Sequence, residues 1–310
     1  MLSQTLVSLI FIHENCLVFF ITERISRIMK IAKDYLNTPR TIKSNSNLDE
    51  VLKKIIDEKK SRLLITDNGK ITGIVTEKDL GLFLLSDNSE RRLDEIPLSE
   101  IAIKIISVDE KTELDECASV MLKKGIGSLV ITSNNNIVGI LTKTDLVRYF
   151  TKTHSGKKIV GEYMSPYYAW QYSDTPLYKV VLKMINEKIS RVIIRNHDEI
   201  PVGIVTFRDL FKLALRLGEQ DDILDNTDPV ISVIFPRKGF ISNSGFGGAT
   251  KIDEIMNTDI ISVDYDDDLA KTGKLMLEKN INGVGVLSGH GNIIGIISKT
   301  DIMKALAFLK

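Results

Sequence analysis

Cysteine is nearly absent: the 310 residues include only Cys16 and Cys117. Neither has a second Cys or a His at ligand spacing, which excludes a disulfide framework and a zinc site and fits a reducing cytoplasm. Histidine is almost as scarce. His13, His154, His197 and His290 form no pair with metal-ligand spacing and no nucleophile–His–acid arrangement. Net charge is lacking too, since 41 Lys and Arg face 41 Asp and Glu. The chain has no bulk attraction for nucleic acid or anionic lipid. It carries no Gly-x4-Gly-Lys-Ser/Thr phosphate loop, and no helix-turn-helix, finger or basic aromatic patch.

Long apolar runs are also missing. Near the N-terminus Leu6–Ile12 and Cys16–Ile21 are apolar, but His13-Glu14-Asn15 splits them. A spanning helix needs about 20 mostly apolar residues, and no basic region precedes the run as a signal peptide requires. Residues 1–28 therefore read as a packing or partner helix, a membrane-surface anchor, or sequence upstream of a start at Met29.

What the chain does have is repetition. One phrase occurs four times: Gly73-Ile-Val-Thr-Glu-Lys-Asp79, Gly139-Ile-Leu-Thr-Lys-Thr-Asp145, Gly203-Ile-Val-Thr-Phe-Arg-Asp209 and Gly295-Ile-Ile-Ser-Lys-Thr-Asp301. A long-period repeat fixes the architecture before any single residue is interpreted. Around each phrase the same unit can be laid out. In the first, a short strand near Thr41 precedes a helix opening at Leu48, with Leu48, Val51, Leu52 and Ile55 at helical spacing. A strand from Arg62, a hairpin turn at Asp67-Asn-Gly-Lys, a strand over Ile71–Val75 and a helix after Thr76 complete it. The order is β-α-β-β-α. One constant spacing separates Leu48 from Arg62, Leu114 from Ser128, Leu177 from Arg191 and Leu269 from Gly283. Repeats 3 and 4 carry one extra residue, placed in their hairpin turns.

Three short strands and two helices can hardly cover both faces of their sheet, so each unit should pack on a sister copy. The expected fold class is α/β (α+β), with four repeats in two pseudo-symmetric pairs. The expected modules are 29–152 (repeats 1 and 2) and 153–310 (repeats 3 and 4), divided at the polar stretch Thr151–Lys158. The second should carry an insertion over 218–248: acidic, then a short strand at Pro229–Phe235, then Gly/Ser-rich. Its Gly-Phe-Gly-Gly lacks the strand–helix context of a dinucleotide fingerprint.

The unit, closing on Gly-h-h-Thr/Ser-x-x-Asp (h apolar), resembles the cystathionine-β-synthase (CBS) domain, two of which form a Bateman module. The resemblance covers Met29–Lys310, and the layout is similar to the nucleotide-sensing gamma subunit of AMP-activated protein kinase. It implies a non-catalytic sensor that binds AMP, ADP, ATP or S-adenosylmethionine as a regulatory ligand, without a catalytic cofactor or metal. It further implies a homodimer or a regulated protein partner. Neither nucleic acid nor membrane is expected as a partner, and the cytoplasm is the expected compartment. A structural or assembly module acting through surface contacts is the alternative. An enzyme would need chemistry hidden in the insertion, since the catalytic barrel of the inosine monophosphate dehydrogenases, which also carry the module, is absent.

The motif has a chemical rationale. An ionised carboxylate at a helix start can accept both hydroxyls of a ribose cis-diol, each bond worth about 1.5–3 kcal/mol. The resemblance implies this role for Asp79, Asp145, Asp209 and Asp301, with Thr76, Thr142, Thr206 and Ser298 beside them. Thr/Ser-x-x-Asp also fits a helix capping box, and the acid complements the helix dipole. Capping and binding are compatible. For phosphate the resemblance implies Arg62 and Arg191 at the heads of second strands, where repeats 2 and 4 have Ser128 and Gly283. Lys78 and Arg208, and also Lys143 and Lys299, stand beside the acids. For the base it implies Thr41, Ser107 and Ser262. Repeat 3 has Trp170 at that position, which can stack on a base or fill the cleft, so repeats 1 and 2 are the first place to seek a ligand.

Overall fold

In the computed structural model, residues 30–86, 91–211 and 251–308 are described. The N-terminal extension and the insertion over 218–248 lie outside them. The first repeat runs β1 (Thr41–Lys43), α1 (Leu48–Asp57), β2 (Arg62–Asp67), β3 (Lys70–Thr76) and α2 (Glu77–Ser86). The second runs β4 (Ser107–Asp109), α3 (Leu114–Lys124), β5 (Ser128–Ser133), β6 (Asn136–Thr142) and α4 (Lys143–Thr153). The third has β7 (Trp170–Tyr172), α5 (Leu177–Asn186), β8 (Arg191–Arg195) and β9 (Pro201–Thr206), with helical backbone following at 207–211. The fourth has β10 (Ser262–Asp264), α6 (Leu269–Glu278), β11 (Gly283–Leu287), β12 (Ile293–Ser298) and α7 (Lys299–Phe308). The helix-opening leucines and strand heads fall where the common register places them. The polar stretch at the expected module boundary begins differently, because Thr151–Thr153 complete α4.

Each repeat forms its own three-stranded sheet, with the first strand parallel to the second and the second antiparallel to the third. The hairpin turns explain where length varies. Asn68 and Gly69, and Asn134 and Asn135, take positive φ as a two-residue type I′ turn requires. The longer turns are held by side chains: Asn196 Oδ1 accepts from the N–H groups of Asp198 and Ile200, and Ser288 Oγ from those of His290 and Asn292.

Pairing begins with the segments that precede each repeat. Ile31 and Asn37 bridge to Glu113 and Ile140 of repeat 2, while Pro97 and Ile103 bridge back to Asn47 and Ile74 of repeat 1. Repeats 3 and 4 make the same exchange through Ile159 and Ser165, and through Lys251 and Asn257. Ala32, Leu98, Val160 and Ile252 are the fully buried anchors of these four leaders. The exchange accounts for the repeated glycine. A Cβ on Gly73 would lie 3.2 Å from the Ile103 carbonyl oxygen, one on Gly139 3.2 Å from that of Asn37, and one on Gly295 2.6 Å from that of Ser165. The partner's backbone crosses where a side chain would stand.

The helices bury the remaining apolar faces across the two pairs. Leu48, Val51, Leu52 and Ile55 share a core with Leu177, Val180, Val181 and Met184 of repeat 3. Leu114, Cys117 and Met121 share another with Leu269, Met276 and Ile302 of repeat 4. Leu64, Ile74, Val130 and Ile140 join the sheets of repeats 1 and 2. Each fully buried Leu or Ile contributes about 1.5–3 kcal/mol. Repeat 1 thus meets 2 and 3, and repeat 4 meets 2 and 3, a closed cycle that directs the Thr/Ser-x-x-Asp helix starts toward one another.

Candidate functional site

The two residues between the hydroxyl and the acid make the contacts between pairs. Lys143 Nζ donates to Thr300 Oγ1 at 3.2 Å, and Lys299 Nζ donates to Thr144 Oγ1 at 3.3 Å. The other two repeats meet differently. Arg208 Nη2 donates to Glu77 Oε2 at 2.9 Å, and the Phe207 ring lies over Gly81, where a Cβ would approach it to 2.7 Å.

Four cations from four repeats converge here. The guanidinium of Arg62 reaches across to repeat 2 and lies over Gly127 beside Lys143; that of Arg191 lies over Gly283 of repeat 4. Lys143 and Lys299 complete the group. Among the described residues none of the four forms an ion pair. Burial pushes Arg62 down to about 10, against the opposing pull of Asp145, Glu77 and Asp79. Burial also lowers Arg191, opposed by Asp301 and Glu77. Lys143 is lowered to about 8, first by burial and then by Arg62, Arg191, Lys78 and Lys299. Lys299 is likewise lowered to about 8 by burial and then by Arg148, Arg191 and Arg62. Burial disfavours the charged form of all four, and for Lys143 and Lys299 neighbouring cations add to it. Half-buried at Arg62, Lys143 and Arg191 and buried at Lys299, a cation cluster of this kind can accept an anion as counter-charge.

The four acids cap their helices and differ in what else they hold. Oδ2 of Asp145 accepts from the N–H and hydroxyl of Thr142 at 2.9 and 2.6 Å. Asp209 with Thr206, and Asp301 with Ser298, repeat this at 2.9 and 2.7 Å. Among the described residues Asp79 accepts only the Thr76 hydroxyl, and its own N–H donates back to Thr76 Oγ1 at 3.3 Å. In repeats 2 and 4 the second oxygen is also taken. Arg148 Nη1 donates to Asp145 Oδ1 at 2.6 Å, and Lys304 Nζ to Asp301 Oδ1 at 2.7 Å. Asp145 and Asp301 are buried, whereas Asp79 and Asp209 are half-buried.

The other expected residues are less central. Lys78 is exposed, and Arg208 is committed to Glu77. Thr41 and Ser107 are exposed at the heads of their strands, and Ser262 is half-buried. Trp170 is covered: the Arg195 guanidinium lies 4.8 Å from its ring centroid and 5.2 Å from that of Tyr168. Arg195 is fixed in turn by Glu199 at 2.8 Å. Sequence reasoning missed Arg148 and Lys304, although a basic residue three positions after a helical Asp is a readable pair.

A family model, the CBS domain, matches residues 32–85, 98–152, 160–216 and 252–308. Protein MJ1225 of Methanocaldococcus jannaschii is 22% identical over 302 residues, covering 91% of this chain and 99% of that protein. Its crystal structure, proposed as an archaeal homologue of γ-AMPK, superposes with a TM-score of 0.70 at 21% identity, over 87% of this chain and 97% of that one. A conserved protein from Pyrococcus horikoshii superposes with a TM-score of 0.59 at 20% identity, over 89% and 99%. An inosine-5'-monophosphate dehydrogenase of Nitrosopumilus maritimus is 26% identical over 152 residues, which span 46% of this chain and 30% of that enzyme.

Proposed function

The chain belongs to the CBS-domain family, and on that footing we propose that it is a regulatory protein that binds adenine nucleotides between paired repeats. Residues 29–152 and 153–310 act as its two modules. The observation that carries this reading is the convergence of Arg62, Lys143, Arg191 and Lys299 without an ion-pair partner among the described residues. A nucleotide supplies what the cluster lacks. Its phosphate is the counter-charge, and its ribose diol matches the carboxylate beside each Thr or Ser. The same excess of cation favours AMP, ADP or ATP over S-adenosylmethionine, whose sulfonium adds a positive charge.

Regulation follows from where the anion sits. The four cations come from both pairs, so a phosphate among them ties the two modules together. It stabilises the arrangement in which they converge, and binding shifts the balance only as far as affinity differs between arrangements. A protein partner or a second copy of the chain would read that change.

Calorimetric titration of the full chain with AMP, ADP, ATP and S-adenosylmethionine tests this. The three nucleotides should bind more tightly than S-adenosylmethionine, and Arg62→Ala with Arg191→Ala should weaken them most. Absence of binding by all four ligands would sink the nucleotide reading.

A further inference from the structure

The four ribose seats are not equally available. A carboxylate offers about four lone-pair positions. Asp145 has committed three: two to Thr142 and one to Arg148. Asp301 has committed three in the same way, to Ser298 and Lys304. A ribose diol donates two hydroxyl bonds, so in repeats 2 and 4 one of the two positions it needs is occupied. In repeats 1 and 3 the same count leaves room, because Oδ1 of Asp79 and of Asp209 has no hydrogen-bond partner among the described residues. The blocking cations are themselves nearly half exposed, at 45% for Arg148 and 46% for Lys304, while the acids they cover are at 3% and 6%. Each can swing into solvent without dismantling the core.

We infer that Arg148 and Lys304 are built-in occupants of the ribose seats of repeats 2 and 4. A nucleoside diol enters those repeats by displacing the cation, while the seat of repeat 1 fills directly. The inference rests on the nucleotide-binding reading above and adds an order of filling to it. Arg148 also stands close enough to Lys299 to depress it. Its departure from Asp145 therefore relieves the central cluster as the seat fills.

Equilibrium dialysis of the full chain against radiolabelled AMP tests this on the wild type, Arg148→Met, Lys304→Met and the double variant. Methionine keeps an apolar stem and removes the donor. The wild type should show a tighter and a weaker class of site. The double variant should tighten the weaker class by up to about fivefold, the scale of one partly exposed ion pair, and leave the tighter class unchanged. Weaker binding in the variants would make Arg148 and Lys304 ligand-holding groups and overturn the inference, as would four equal sites in the wild type. No AMP binding at all would overturn the nucleotide reading as well. A crystal soaked in AMP gives an independent test. A ribose on Asp145 with Arg148 displaced supports the inference, and a ribose there with Arg148 still on Oδ1 overturns it.

Discussion

Lys143 donates to the hydroxyl of Thr300 at 3.2 Å, joining helix starts of repeats 2 and 4 that lie 157 residues apart. Lys299 returns the contact to Thr144. The hydroxyls satisfy donors but carry no charge, so among the described residues neither ammonium group has an ion-pair partner. That condition produces the first prediction.

Both amines lie at about 8, against an ordinary 10.5. Between those values the unfolded chain binds more protons than the folded one, so the stability of the ligand-free protein rises with pH from about 8 to 10.5. A phosphate at the cluster favours the protonated amines, so affinity for AMP should fall as pH rises through 8. Urea denaturation at a series of pH values reads the first trend and calorimetry at pH 7 to 9.5 the second. Flat profiles in both would remove Lys143 and Lys299 from the site.

The acids should separate by their structural share. Asp301→Ala strips the acceptor from Ser298 N–H, Ser298 O–H and Lys304 in a buried place, a loss of about 2 kcal/mol. Asp79→Ala removes one acceptor of the Thr76 hydroxyl at a half-buried position, a loss of about 1 kcal/mol. Urea midpoints should follow that order, with Asp79→Ala showing its main effect in nucleotide titrations.

The leader exchange predicts which glycines are indispensable. Gly295→Ala forces a Cβ to within 2.6 Å of the Ser165 carbonyl oxygen and should cost about 1–3 kcal/mol. Gly289→Ala meets nothing within 4 Å and should stay within about 0.5 kcal/mol of the wild type. Thermal denaturation of the two variants side by side checks the contrast.

Trp170 is the chain's one tryptophan and reports on repeat 3. Arg195→Ala removes the guanidinium that covers its ring, so emission should shift to the red as water reaches the indole. An unchanged spectrum would mean that other groups cover Trp170.

Much of the fold was legible because it is written four times. Leu48, Leu114, Leu177 and Leu269 open helices, and Arg62, Ser128, Arg191 and Gly283 open strands, where a common register places them. The first hairpin turn was legible from Asn68-Gly69, and the cap from Thr/Ser-x-x-Asp. The site was legible only in part. The strand-head arginines were legible as phosphate-holding candidates, one in each pair, but not that Arg62 reaches over Gly127 and Arg191 over Gly283. Lys143 and Lys299 looked like neighbours of the acids and turned out more deeply placed than Lys78, which is exposed. Repeats 1 and 2 were the first place to seek a ligand, and the Asp145–Arg148 pair is a further difference between them that the strand heads did not show.

The sequence by itself determined the unit, its four copies, their register and the position of one carboxylate in each. Those follow from local periodicity, turn chemistry and capping, which act over a few residues. The tertiary structure decided how the copies differ. Which glycine lies under a partner's backbone, which arginine crosses to the next repeat and which lysine loses its water depend on contacts between residues far apart in the chain. Charge and burial are properties of the surroundings, and four similar motifs were given four unequal surroundings when the repeats closed on one another.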